Sequence, residues 1–230
     1  MNPFELSVSL NNRAVTLLSS PEGYSAAISH LKEALSAMKS ILQLAHDTSS
    51  SIPLETAYIC EISLTECLLK SMRLRHHDHD VDDQELFLHR EAIFIRNELA
   101  NVTGYRERSM ISCIIIFNLA LAYHLSAADA MVSDTMTALY RALRLYELCF
   151  NLLREELGEA IVLFPLAVIN NVALVHRQLG NEEPATRCFE MILSTLMCLA
   201  DQKSVHQLPL DGFFINTRYL ISKDLVAPAA

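Results

Sequence analysis

The stretch Asn171-Val172-Ala173-Leu174-Val175-His176-Arg177-Gln178-Leu179-Gly180-Asn181-Glu182-Glu183-Pro184-Ala185-Thr186-Arg187-Cys188-Phe189 decides the fold class. Gly180 can close one helix in a left-handed conformation, and Asn181 can cap the next. Glu182, Glu183 and Pro184 suit a first helical turn, where carboxylates face the positive end of the dipole and proline gives up no hydrogen bond. Downstream, Ala185, Phe189, Ile192, Leu196 and Leu199 recur at helical spacing. The stretch therefore predicts a tight helical hairpin.

Working outward, the same period fills the chain. Leu31, Ala34, Met38, Ile41 and Ala45 form a second stripe after the breaker Ser19-Ser20-Pro21-Glu22-Gly23. Helices are expected at roughly 4–19, 22–46, 54–75, 84–100, 105–128, 131–157, 159–178 and 182–200, with a short tail helix near 211–222. Pro165 should kink or start the seventh, because it has no N–H to donate. Only 5 Gly and 7 Pro punctuate 230 residues, of which 51% are hydrophobic and 20% charged. A chain this apolar is not disordered, and it is long enough to bury a core without disulfides.

Asparagines recur in similar settings. Asn12 lies in Asn11-Asn12-Arg13-Ala14-Val15, Asn118 in Phe117-Asn118-Leu119-Ala120-Leu121, and Asn171 in Asn170-Asn171-Val172-Ala173-Leu174. The gaps are 106 and 53 residues, so a degenerate copy is expected at Thr65-Glu66-Cys67-Leu68. Two columns result: small residues at Ala14, Cys67, Ala120 and Ala173, and apolar ones at Val15, Leu68, Leu121 and Leu174. A small residue at the same point of each first helix lets a neighbour approach closely.

The Asn171-to-Phe189 stretch resembles a tetratricopeptide repeat in its small helix-A residue, its Leu-Gly-Asn turn and the Ala and Phe of helix B. The segment from Ala14 through Gly23-Tyr24, Ala27, Leu31 and Ala34 is similar with one extra turn residue, and Asn118 to Ala142 is similar with a longer turn. The 53-residue spacing exceeds the family's usual ~34. The resemblance implies an all-α fold of four antiparallel helix pairs stacked as a short right-handed solenoid. A single domain over 1–230 would comprise units at about 4–46, 54–100, 105–157 and 159–200. A segment at 208–222, Leu210-Asp211-Gly212-Phe213-Phe214 at its centre, would cap the last pair, since open repeat stacks need covered ends.

In that family the first helices line a concave surface where polar side chains hold a partner. Asn12, Asn118, His124, Asn171 and Arg177 are by that resemblance the candidate partner-binding residues. The alternative is that the asparagines sit between units and satisfy backbone groups there. Lys and Arg are missing from Ser109 to Ala128, so a carboxylate-terminal peptide is not the expected ligand. A second candidate surface is formed by Tyr140, Tyr146 and Phe150 beside Arg141 and Arg144.

Other chemistry is sparse. His76-His77-Asp78-His79-Asp80-Val81-Asp82-Asp83 holds metal-ligand types, with His76, His77, His79 and Asp80 as the candidate set. Ligands so crowded on a loop have nothing to fix their geometry, and a solvated acidic turn is the competing reading. Gly-rich phosphate loops, a Gly-x-Ser-x-Gly elbow, His-Glu-x-x-His and Cys-x-x-Cys are all absent from the sequence. The six cysteines sit in apolar helical stretches as small hydrophobes would. A formal net charge of −9 excludes sequence-independent nucleic-acid binding. Ser109 to Ala128 is uncharged and of bilayer-spanning length, but Asn118, His124 and three serines argue for a buried helix. The N-terminus shows no signal-peptide pattern.

The expected protein is thus a non-enzymatic scaffold without cofactor, cytoplasmic or nuclear, binding a peptide or helix on its concave face. A metal-binding helical protein using residues 76–83 is the alternative, and self-association through apolar helix faces is a further partner class.

Overall fold

Helix-forming and helix-stopping signals account for the ends of several described helices. The computed structural model describes residues 2–44, 88–96, 105–129, 134–156, 163–200 and 210–224. These form seven α-helices and no strand: α1 (Pro3–Leu17), α2 (Tyr24–Leu44), α3 (Tyr105–Ala127), α4 (Thr135–Glu156), α5 (Leu163–Gln178), α6 (Glu182–Ala200) and α7 (Asp211–Asp224).

α1 opens with a reciprocal cap. The Glu5 amide donates to Asn2 Oδ1 at 2.8 Å while the Asn2 amide donates to Glu5 Oε2 at 3.2 Å, and Pro3 takes the first helical position. The turn into α2 is so tight that a Cβ on Gly23 would lie 1.9 Å from the Leu17 carbonyl oxygen. Pro165 falls in the first turn of α5, so it starts that helix rather than kinking it. Between α5 and α6, Gly180 adopts φ +76. The Asn181 amide reaches the His176 carbonyl at 2.8 Å and the Gly180 amide the Arg177 carbonyl at 3.0 Å, which closes α5 as expected of a left-handed glycine. The Asn181 side chain lies 3.4 Å from His176 Nδ1.

Each helix packs on the next in chain order, α1 on α2, α2 on α3, and so on to α6 on α7; α1 also touches α3, and α5 touches α7. The alanines of the small column, Ala14, Ala120 and Ala173, are completely buried. Cys67 and Thr65 lie outside the described residues.

α3 occupies the middle. It is apolar on every side, and it is the one described helix long and apolar enough to cross a membrane, yet its whole apolar stretch is enclosed by the rest of the chain. Such a helix needs neighbours all round it. α2 and α4 supply two of them. A third comes from residues 88–96.

Those residues overturn one expectation. The helix anticipated over 84–100 is not formed at 88–96, which are non-helical. The helix anticipated over 54–75 lies outside the described residues.

Candidate functional site

The asparagine column converges on residues 88–96. Asn171 Oδ1 accepts the His89 amide at 3.1 Å while its Nδ2 donates to the His89 carbonyl at 3.0 Å. Asn118 does the same for Ile93, with 2.8 Å to both the amide and the carbonyl. Asn12 does it for Ile95, at 2.9 and 2.8 Å. Each asparagine amide thus reproduces the donor–acceptor pair that a neighbouring β-strand would offer. Pairing with both groups of one residue also fixes which side-chain atom is oxygen and which is nitrogen.

The pattern makes the segment extended. In an extended chain the N–H and C=O of one residue point the same way, and odd and even residues face opposite sides. The three clamped residues are all odd-numbered. Their side chains are buried and those of Arg90 and Phe94 are exposed, while the small Ala92 is buried as well and Glu91 is half-buried. At about 3.3 Å per residue, the step from His89 to Ile93 covers roughly 13 Å and brings the chain from α5 to α3; Ile95 then lies against α1.

Further amides brace the clamps. Asn11 Nδ2 donates to the Ile93 carbonyl and to Asn12 Oδ1, both at 3.2 Å, and Asn11 Oδ1 accepts from Asn118 Nδ2 at 2.9 Å. On the other side, Asn216 of α7 donates to Asn170 Oδ1, and Asn170 donates to Asn171 Oδ1 at 3.2 Å. Asn171 Nδ2 also reaches the Tyr146 hydroxyl at 3.1 Å. Asn11, Asn118, Asn170, Asn171 and Asn216 are all fully buried. A buried amide with its donors and acceptors filled is rigid, and losing one partner costs about 1–3 kcal/mol.

The three clamped side chains meet different surroundings. Ile93 and Ile95 are completely buried among apolar neighbours in the core. His89 is equally buried and packs on Phe117, ring centroids 5.6 Å apart. Phe117 in turn contacts Tyr146 and Phe164, at 5.7 and 5.6 Å. Neither ring nitrogen of His89 has a well-formed hydrogen bond. Burial pushes its pKa down to about 4, a fall that the Glu91 backbone only partly opposes. The ring is therefore neutral in an apolar, aromatic pocket.

Of the other sequence candidates, His124 lies inside the fold. Its Nε2 stands 3.0 Å from Gln178 Oε1, so the neutral ring donates there, tying α3 to the end of α5. Burial pushes its pKa down to about 4, against the Gln178 hydrogen bond and aided by Arg90. Arg177 turns towards α7, its guanidinium 4.7 Å from the centre of the Tyr219 ring. The asparagines alone of the five candidates hold the segment. Tyr146 belongs to the core beneath Asn171, while Tyr140 is half exposed and Phe150 partly buried. His76, His77, His79 and Asp80 lie outside the described residues, and among the described residues no cluster has the makings of a metal site.

Sequence reasoning missed Asn11, Asn170, Asn216 and the occupant itself. The doubled Asn11-Asn12 and Asn170-Asn171 pairs were the available signal for the bracing amides. Compared with protein-family models, curated proteins and solved structures, the chain matches none.

Proposed function

We propose that this chain is a non-enzymatic interaction scaffold, a short right-handed solenoid of tetratricopeptide-like pairs, whose groove along α1, α3 and α5 holds an extended peptide. α7, packed on α6 and α5, acts in this reading as the cap. The observation that carries the proposal is the paired hydrogen bonding of Asn12, Asn118 and Asn171 to the backbone of residues 88–96. Such pairing suits an extended ligand rather than a helical one, because a helix uses its own N–H and C=O groups internally. The described cysteines, free thiols in every case, fit a reducing compartment such as the cytoplasm or nucleus.

The test empties the groove. In the full chain carrying Ile93→Asp and Ile95→Asp, the resident segment cannot bury its side chains, since an unpaired buried carboxylate is heavily disfavoured. A fluorescein-labelled peptide of sequence 88–96 should then bind, read as anisotropy, and binding should fall when Asn118→Ala and Asn171→Ala are added. Absence of binding to an emptied chain that retains its helical circular dichroism would overturn the proposal.

A further inference from the structure

We propose that residues 88–96 are a deliberately weak resident of this groove, detuned at His89. The partner that replaces them is an extended peptide with a large apolar side chain in the His89 place and β-branched aliphatics four and six residues further on. The inference rests on the peptide-binding reading above and adds the identity of the ligand class and the way it gains entry.

Three observations lead there. First, the clamps read only main-chain groups, so they hold any extended sequence alike and leave selection to the side chains between them. The buried side chains at clamped positions are His89, Ile93 and Ile95, which gives the spacing. Arg90 and Phe94 face outwards, so the corresponding partner positions are unrestricted by the groove.

Second, two of the three side chains fit their surroundings and one does not. Ile93 and Ile95 bring only apolar surface into the core. His89 brings two ring nitrogens into full burial, where the Glu91 backbone lies near but neither nitrogen completes a well-formed hydrogen bond, over a floor of Phe117, Tyr146 and Phe164. An apolar side chain of similar volume would keep the contact with Phe117 and bury no polar atom. A rival peptide with Leu, Met or Phe in that place therefore outcompetes the resident while using the same clamps.

Third, the groove cannot stand empty. Apart from Asn118, which clamps Ile93, the residues that α3 presents to it are apolar. Phe117, Leu121 and Asn118 are buried with the segment seated, and an empty groove would expose them to water. Release without replacement is disfavoured, whereas exchange of one extended apolar strand for another is not. This points to an apolar peptide rather than a charged one, and to capture by exchange.

The experiment uses the full wild-type chain and two labelled synthetic peptides, one of sequence 88–96 and one with His89→Leu. The substituted peptide should bind roughly tenfold or more tightly by anisotropy, the low end of what an unsatisfied buried polar group costs. Placed instead in the protein, His89→Leu should weaken capture of either peptide by a similar factor, and should slow hydrogen exchange at the amides of Ile93 and Ile95, since the resident is then held harder. If both peptides bind the Ile93→Asp, Ile95→Asp chain equally, or the His89→Leu protein captures peptide as well as wild type, detuning is wrong although the groove still binds peptide. If neither peptide binds the emptied groove, the peptide-binding reading falls and this inference with it. The exchange measurement needs no folding of a disrupted variant and stands by itself: unchanged protection in the His89→Leu protein overturns the proposal.

Discussion

α3 and α6 are helices of 23 and 19 residues with opposite surroundings. α6 buries one stripe, Ala185, Phe189, Ile192, Leu196 and Leu199, and turns Met191 and Met197 outwards at 45% and 65% exposure. α3 has no outward face. Ile111 through Ala127 is enclosed residue by residue, on one side by the chain's own extended segment. A helix lining an open groove would need a polar stripe for water to touch. The apolar all-round composition of α3 is therefore a record of what lies in the groove, while the amphipathic pattern of α6 records only what lies behind it.

Truncating one side chain on each helix should expose the difference at its widest. Phe117→Ala removes the ring shared by His89, Tyr146 and Phe164 and should cost about 3–5 kcal/mol in denaturant unfolding, whereas Met197→Ala should change stability by less than about 0.5 kcal/mol. Comparable losses at the two sites would mean that α3 is no more enclosed than α6.

Acid should act on the groove side in particular. His89 and His124 have folded pKa values of about 4 against 6.5 in an unstructured chain. Folding thus favours their neutral forms, and this contribution is whole above pH 6.5 and lost as pH falls towards 4. Each shift corresponds to about 3 kcal/mol. The His89 ring packs on Phe117 of α3 and lies near the Glu91 backbone of its own segment, and its main chain is held by the neutral amide of Asn171 on α5. Stability measured from pH 7 to 4.5 should fall steeply in wild type and less so in the His89→Leu protein. Parallel profiles would show that the ring does not stay neutral in place.

A finer probe distinguishes the two halves of one clamp. Asn118→Asp retains an acceptor for the Ile93 amide but presents a carboxylate to the Ile93 carbonyl and to Asn11 Oδ1. Asn118→Ala removes both halves and leaves the Ile93 amide without its acceptor. Both should speed exchange at Ile93, each at a cost of about 1–3 kcal/mol, with the aspartate variant recovering part of the loss at low pH as its carboxyl protonates. If the aspartate variant shows no recovery at low pH, the donor half of the clamp contributes nothing.

The helices were legible because stripe and stop signals agree, as at Gly180 and Pro184, where backbone requirement and residue type coincide. The clamps were legible as a column, since Asn12, Asn118 and Asn171 keep the same place relative to Ala14, Ala120 and Ala173. Their occupant was not. The run Leu88-His89-Arg90-Glu91-Ala92 consists largely of good helix formers, and Leu88, Ala92 and Ile95 fall at helical spacing. Hydrogen bonds to residues 25, 82 or 83 positions away hold it extended, and no local pattern encodes partners so remote. The bracing amides escaped for a related reason: Asn170 and Asn216 make sense only once α5 and α7 are side by side.

The clamp order also sets a timetable for synthesis. His89 and its asparagine are 82 residues apart, and at about 5–20 residues per second a ribosome takes on the order of 4–16 s to deliver one after the other. Through that interval the nascent chain holds the segment with Ile93 and Ile95, with Asn12 already made and Asn171 still to come. Under the peptide-exchange proposal above, an extended apolar peptide that meets the chain in this interval finds a groove whose resident is not yet fully secured, so the choice of occupant is first posed during translation.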